Sequence, residues 1–215
     1  MESMSLDLKQ AAFNGDLDTV RSLVESGADV NAADEHGSGT LLTFYPEIIT
    51  YLLSKGADPS IQTNEYGASV LAGLAYVNQV DCVRLLLQHG TDANQGRAES
   101  LETPLHHTLA CAGDADRIEL LRLLIDHGAD VNARTKPGTV SYNFWRDART
   151  RGETPLHRAA AYASIEVVEI LLKAGAAGTI RDVNGDSPLS WASWHRRPKE
   201  LIDLLVSSTE ADGVV

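Results

Sequence analysis

The sequence predicts an all-α solenoid of about six helix–turn–helix repeats, and three observations predict it. A glycine phrase follows a series of apolar runs: Ser26-Gly27-Ala28-Asp29-Val30-Asn31, Lys55-Gly56-Ala57-Asp58, His89-Gly90-Thr91-Asp92-Ala93-Asn94, His127-Gly128-Ala129-Asp130-Val131-Asn132 and Ala174-Gly175-Ala176. A second phrase, Thr103-Pro104-Leu105-His106, returns as Thr154-Pro155-Leu156-His157 and Ser187-Pro188-Leu189-Ser190. Between the two phrases lie turn-tolerant residues, Asn14-Gly15, Asn78 and Gly113.

Each phrase has a physical task. A hydroxyl before proline starts a helix, because the hydroxyl caps free backbone N–H groups and proline at the first position loses no hydrogen bond. Glycine after an apolar run stops one, since the left-handed turn there is cheap only for glycine. Asn and Gly allow the tight turn that reverses the chain between two helices. Each unit therefore reads as helix, turn, helix, glycine stop and extended connector.

On these residues the sequence resembles the ankyrin-repeat family, whose unit is about 33 residues long with a Thr-Pro-Leu-His-x-Ala signature. Thr154 to Ala160 carries that signature, and the resemblance runs from about Ser5 to Val206. It implies an inner row of helices, an outer row, and connectors that project as β-hairpin-like fingers beside a concave face. It also implies that His106 and His157 bond within and between repeats. One domain is expected over 1–206, with repeats at about 5–34, 35–62, 63–94, 95–133, 134–180 and 181–206. A polar tail over 207–215 follows.

The stop glycines Gly27, Gly56, Gly90, Gly128 and Gly175 are separated by 29, 34, 38 and 47 residues, so the units differ. The first is regular. The second is about four residues short, and the loss falls in its inner helix, where Gly39-Thr40-Leu41-Leu42-Thr43-Phe44 runs straight into Tyr45-Pro46. Pro46 can open the outer helix but cannot sit inside the inner one. The third unit lacks the Pro-Leu-His phrase, and the fourth has extra residues near Ala112 to Asp116. The fifth carries about fourteen extra residues before Thr154, a long finger insertion whose span is 136–152.

Composition narrows the function. Thirty acidic residues against 18 Lys and Arg give a net charge of −12, which disfavours a phosphate backbone as partner. No apolar run reaches the roughly 18 residues of a membrane helix, and the first residues show no secretory signal. Cys82 and Cys111 have no metal-ligand spacing and read as reduced, buried thiols, so a cytoplasmic location is expected. The histidines give no spaced ligand set either; His89 and His127 sit at helix ends, where a partly charged ring suits the dipole. Neither metal nor cofactor is expected, and no catalytic motif is seen.

Candidate binding residues come from two places. The finger insertion concentrates Tyr142, Phe144, Trp145, Arg146, Arg149 and Arg151, the residue types that dominate binding hot spots. Its aromatics either meet a partner or fold back as an anchor for the loop, and the two readings are compatible. Alignment of the inner helices gives two rows, Gln10, Gly73, His107, Arg158 and Trp191, then Phe13, Tyr76, Ala110, Ala161 and Trp194, which the family resemblance implies look into the concave groove. Of these, Phe13, Tyr76, His107, Arg158, Trp191 and Trp194 are candidate contacts, although the two tryptophans also suit a cover for the last repeat.

The favoured function is a non-catalytic scaffold, adaptor or regulator, a monomer that binds a protein partner on its concave and finger face. The alternative is a small-ligand or metal-dependent enzyme with a pocket between the 136–152 insert and the last inner helix.

Overall fold

A computed structural model describes residues 2–32, 39–61, 69–110, 117–141 and 149–211. Eleven helices lie among them. Helices α1 (Glu2–Asn14) and α2 (Leu17–Glu25) form the first pair, and α3 (Pro46–Ser54) stands without an inner partner. The later pairs are α4 (Val70–Tyr76) with α5 (Val80–Gln88), α6 (Pro104–Thr108) with α7 (Ile118–Asp126), α8 (Pro155–Tyr162) with α9 (Ile165–Lys173), and α10 (Pro188–Trp194) with α11 (Lys199–Ala211).

The helix ends follow the predicted chemistry. Ser69, Ser164 and Ser187 accept from the backbone N–H three residues on, at the starts of α4, α9 and α10. At α6 and α8 the fourth residue of the phrase reaches back: Thr103 and Thr154 donate their N–H to Nδ1 of His106 and His157, at 3.2 and 3.1 Å. The opposite nitrogens lie 3.3 Å from the Glu153 carbonyl and 3.1 Å from that of Asp186, in the next connector. A nitrogen facing a carbonyl must carry the proton, so both rings are Nε2–H tautomers that tie one repeat to the next. At each stop, the residue after the glycine donates back to the carbonyl five before it, as in Ala28 to Leu23 and Ala129 to Leu124, both at 3.0 Å. A Cβ on Gly128 would meet nothing within 4 Å, so its φ of +86° is what requires glycine.

Amphipathic outer helices α2, α3, α5, α7, α9 and α11 pack each on the next, forming an unbroken layer. The inner layer runs α4, α6, α8, α10. Between α1 and α4 the short second unit places a non-helical segment over 39–45, where its spacing predicts a stunted inner helix. Thr43 donates to the Ala12 carbonyl at 2.6 Å on one side, and Leu42 reaches 3.5 Å from where a Gly73 Cβ would sit on the other. Tyr45 lies over Gly15, within 2.5 Å of where a Cβ there would fall, so this site takes glycine for closeness as well as for its φ of +79°. The core is one continuous sheet of aliphatic side chains from Leu8 to Leu205.

An asparagine clamp joins the connectors. Asn31, Asn94 and Asn132 each donate to the stop-glycine carbonyl of the next unit, Gly56, Gly128 and Gly175, at 3.1, 3.0 and 2.9 Å. Each accepts in return from Asp58, Asp130 and Ala177 N–H, at 2.7, 2.7 and 2.8 Å. The clamp keeps its geometry across 25, 34 and 43 residues, so inserted chain is looped out without disturbing the stack. The second unit has Ser60 at this place, too short to reach Gly90. There Gln95 donates to the Ser60 carbonyl instead.

One expectation needs correction. Residues 207–211, read as polar tail, continue α11, with the Ser207, Ser208 and Thr209 hydroxyls donating back to the carbonyls of Asp203, Leu205 and Val206. Polar side chains there bond along the helix instead of competing with it.

Ser60→Asn is expected to install the missing clamp on the Gly90 carbonyl and the Asp92 N–H. Two partly exposed hydrogen bonds should raise stability by about 1 kcal/mol. Urea denaturation followed by circular dichroism measures it; an unchanged or lower midpoint would show that the clamp contributes nothing at this junction.

Candidate functional site

Three connectors lie side by side above helices α6, α8 and α10. The first, 96–102, is a small turn in which Arg97 and Glu102 pair at 2.8 Å (N–H to carbonyl) and Leu101 takes a φ of 55°. A Cβ on Gly96 would stand 1.8 Å from the Glu102 carbonyl, so the turn closes only on glycine. The second is the long insertion. Its base is a hairpin, with Gly138 donating to Thr150 at 2.7 Å, Thr150 to Thr139 at 2.9 Å, and an antiparallel bridge between Val140 and Arg149. Lys136 N–H donates to the Ser100 carbonyl at 2.7 Å, and Val183 N–H to the Arg151 carbonyl at 2.9 Å. These bonds fix the insertion between its neighbours.

Beneath this row lies a buried ion cluster. Arg158 is 0% exposed, and its guanidinium donates to Glu102 Oε1 at 2.6 Å, to Glu153 Oε1 at 2.7 and 3.2 Å, and to the His106 carbonyl at 3.1 Å. Hydroxyls and a backbone N–H complete the carboxylate shells, so that every carboxylate oxygen is bonded. Ser100 and Ser141 donate to Glu102 at 2.8 and 2.7 Å, while Thr135 and the Arg151 N–H donate to Glu153 at 2.8 and 2.6 Å. Ser141, Thr135 and Arg151 all belong to the insertion or its root, so the cluster is what seats it. Burial alone would raise the Glu102 carboxyl; the Arg158 charge, with His107 and these hydrogen bonds, outweighs burial and holds it down at about 2. Glu153 is lowered against the same burial by Arg158 and the Arg151 N–H. Burial, then the Arg158 charge, pushes the His106 ring far down, which keeps it neutral as its hydrogen bonds require.

Several candidate residues sit elsewhere than expected. Arg158 does not line the groove: the two carboxylates draw it under the fingers, out of any partner's reach. His107, expected to be exposed, is buried in the same layer. Trp191 is 8% exposed; its indole N–H donates to Asp182 at 3.2 Å, and its ring meets His157 edge-on at 5.5 Å. Trp194 and Phe13 are open to solvent, at 58% and 50%, and Phe13 lies 6.0 Å from the Phe44 ring. Tyr76 is half-buried, and its carbonyl accepts from Arg117 at 3.0 Å. Arg149 spans the hairpin to the Gly138 carbonyl at 2.6 Å, and Arg151 is exposed over the Trp191 ring, 5.9 Å from its centroid. Tyr142, Phe144, Trp145 and Arg146 lie outside the described residues, as do His36, Cys111 and Gly113.

The structure therefore brings Arg151 and Trp191 together and leaves Phe13 far from them along the chain of repeats. It adds two residues that the sequence did not single out: Tyr162 and His195 meet edge-on, with ring centroids 4.7 Å apart. Glu102 and Glu153 were also missed, although a signal existed, since each stands directly before the capping threonine of a Pro-Leu-His phrase. Where a pocket was expected between the insertion and the last inner helix, the described residues place Arg151 over the Trp191 ring. A cavity of about 660 Å3 lies instead on the outer layer between α7 and α9, lined by Arg122, Ile125, Glu166, Glu169 and Lys173 among others. Among the described residues no group of three or more His, Cys, Asp or Glu could hold a metal ion.

Comparison with known proteins places the architecture. The family described as "Ankyrin repeats (3 copies)" matches residues 42–135 and 139–214, and "Ankyrin repeat" matches 8–35. Human "Ankyrin repeat and SOCS box protein 16" is 29% identical over 214 residues, covering 85% of this chain and 46% of the relative. The chain thus spans less than half the length of that protein. The crystal structure of the human ASB11 ankyrin repeat domain superposes with a TM-score of 0.71 at 25% identity, over 94% of this chain and 81% of that one. A structure of the Bd0816 predatory endopeptidase from Bdellovibrio bacteriovorus in complex with immunity protein Bd3460 contains a chain of the same fold, with a TM-score of 0.73 at 22% identity, over 94% and 97%.

The ion cluster sets a stability test. Arg158→Met leaves two buried carboxylates facing each other, and breaking such a pair costs about 3–5 kcal/mol at neutral pH. A carboxyl lowered in the fold stabilises above its unfolded value of 4.5, and that contribution is lost as pH falls towards about 2. In Arg158→Met the sign reverses, because carboxyls without their counter-charge are raised, and acidification should recover stability. Urea midpoints of both proteins at pH 7 and pH 5 check this; equal loss in both on acidification would contradict the role given to Arg158.

Proposed function

We propose, from the premise that the chain belongs to the ankyrin-repeat family, that it is a non-catalytic module binding a partner protein on its finger and concave face. Ankyrin repeats are as a rule interaction modules, and the observation that carries the reading here is the seating of the long finger. A buried ion cluster with every carboxylate oxygen engaged is a large structural investment in one connector, and it holds an exposed arginine at the finger's root. Contacts are assigned to the finger residues Tyr142, Phe144, Trp145, Arg146, Arg149 and Arg151, with Trp194 at the same end. Phe13 and Tyr76 extend the concave face towards the first repeat.

The domain is proposed as a monomer of six repeats that needs neither metal nor cofactor and works in the cytoplasm without nucleic acid. Among the described residues no helix is long and apolar enough to cross a membrane. An inhibitor, an adaptor and a scaffold would all use such a face.

Capture of proteins from the source organism, quantified by mass spectrometry, tests the reading. Wild type is compared with a finger variant, Tyr142→Ser, Phe144→Ser and Trp145→Ser together, and with an outer-layer control, Arg122→Ala. The expected result is a specific protein retained by wild type and control and reduced at least tenfold by the finger variant. Equal capture by all three, or none by wild type, counts against it.

A further inference from the structure

Around the root of the finger the charge balance of this acidic chain is reversed locally. Many of its cations are already engaged. Arg84 pairs with Glu119 at 2.6 Å, Lys173 with Glu169 at 3.1 Å, and Arg122 lies 3.7 Å from Glu166. Arg117 and Arg197 bond the carbonyls that end inner helices, the latter reaching Ala161 and Ala163. Arg151 differs. Its backbone is held on both sides, by Glu153 through the N–H and by Val183 through the carbonyl, yet its guanidinium has no hydrogen bond or ion pair among the described residues. It lies across the face of Trp191, at a distance where the ring attracts a cation.

The surroundings are aromatic and cationic. His195 stands edge-on to Tyr162, and the charges that lower the His195 ring, after burial, are those of Arg197 and Arg151. Trp194, 58% exposed, and exposed Arg196 flank that ring in sequence. The nearest carboxylates are committed. Glu153 is taken by Arg158, and Asp182 accepts from the Trp191 indole and from the N–H groups of Asn184 and Asp186. A preorganised guanidinium with no ion pair among the described residues, close enough to Tyr162 and His195 for its charge to act on both, is what a carboxylate next to an apolar side chain would complete.

We propose that Arg151, Tyr162, Trp194 and His195 form a cradle for an acidic peptide segment of the partner, with Arg151 on its carboxylates and Trp194 against its apolar side chains. The proposal rests on the protein-binding reading above and adds the chemistry of the partner and the place where it docks. The net charge of −12 does not oppose it, because charges more than about 8 Å away are largely screened at physiological salt, whereas a long polyanion would feel the whole acidic surface.

Selection from a displayed library of random twelve-residue peptides on the full chain tests the cradle. Peptides enriched on wild type should combine Asp or Glu with an aromatic or aliphatic residue. Their affinity, measured by fluorescence anisotropy, should fall at least tenfold in Arg151→Gln with Trp194→Ser, and weaken between 50 and 500 mM NaCl. Both substitutions are at exposed side chains, and an unchanged thermal midpoint verifies the fold. Enriched peptides without acidic residues, or with equal affinity for the double variant, overturn the proposal. If binding is instead lost in Phe13→Ser with Phe44→Ser, the protein-binding reading stands and the cradle falls. If a twenty-nucleotide single-stranded DNA displaces the selected peptides with tighter affinity, the site is one for nucleic acid and the cradle falls.

Discussion

Apolar burial between consecutive helix pairs carries this structure, because no pair has a core of its own. A nine-residue helix such as α5 or α9 presents one stripe of Val, Leu and Ile, and a stripe alone cannot offset the cost of ordering the chain. Each stripe is covered only when the next repeat arrives, which makes the stack continuous and forces the outer layer to remain unbroken. The inner layer tolerates one gap, since the segment around Leu41 to Thr43 fills the space between α1 and α4 with an aliphatic side chain and a satisfied hydroxyl. Continuity of burial, rather than continuity of helix, is the constraint that the sequence has to meet.

Connectors are released from that constraint, which is why variation collects in them. The asparagine clamp spans its turn-to-turn distance whether 25 or 43 residues intervene, so an insertion costs the stack nothing. A long connector must still be held if it is to present a defined surface. Here the holding force is electrostatic. Two carboxylates from successive Pro-Leu-His phrases converge on one guanidinium, and hydroxyls from the root of the insertion complete their shells. A buried ion cluster is a poor source of net stability, but it penalises every arrangement that leaves one member unpaired. Its effect is to select a single seat for the finger.

Local features were legible in the sequence, and features that depend on distant residues were not. Helix starts at Thr103, Thr154 and Ser187, stops at the five glycines and the shortfall in the inner helix before Pro46 follow from groups within a few residues, and the bonding of His106 and His157 within and between repeats from the family resemblance. Arg158 was misplaced because its position on the helix face was readable, while the convergence on it of Glu153, five residues away, and Glu102, 56 residues away, was not. For Trp191 both readings, groove contact and cover for the last repeat, were open; its acceptor Asp182 lies in the connector, and the folded turn of 182–186 brings that carboxylate to the indole N–H. The extension of α11 through Ser207 to Thr209 was hidden because hydroxyls suit both a frayed tail and a helix end.

The same reasoning explains why the proposed cradle sits at the last repeat. Interior repeats have a neighbour on each side, so a polar side chain between the layers finds a carbonyl or carboxylate to satisfy, as Arg117 at the start of α7 and Arg158 on α8 do. The final repeat has a described neighbour on one side. Trp191 of its inner helix still meets His157 and bonds Asp182, and Arg197 in the turn after that helix reaches the preceding turn, but Trp194 and Arg196 are exposed. The finger root adds Arg151 at that edge, fixed through its backbone and open at its charge. An unsatisfied guanidinium is tolerable there because water reaches it, and a carboxylate would bind it better than water does only if aromatic side chains nearby were covered at the same time. In the proposed cradle, Tyr162, Trp194 and His195 would supply that condition beside the Arg151 charge.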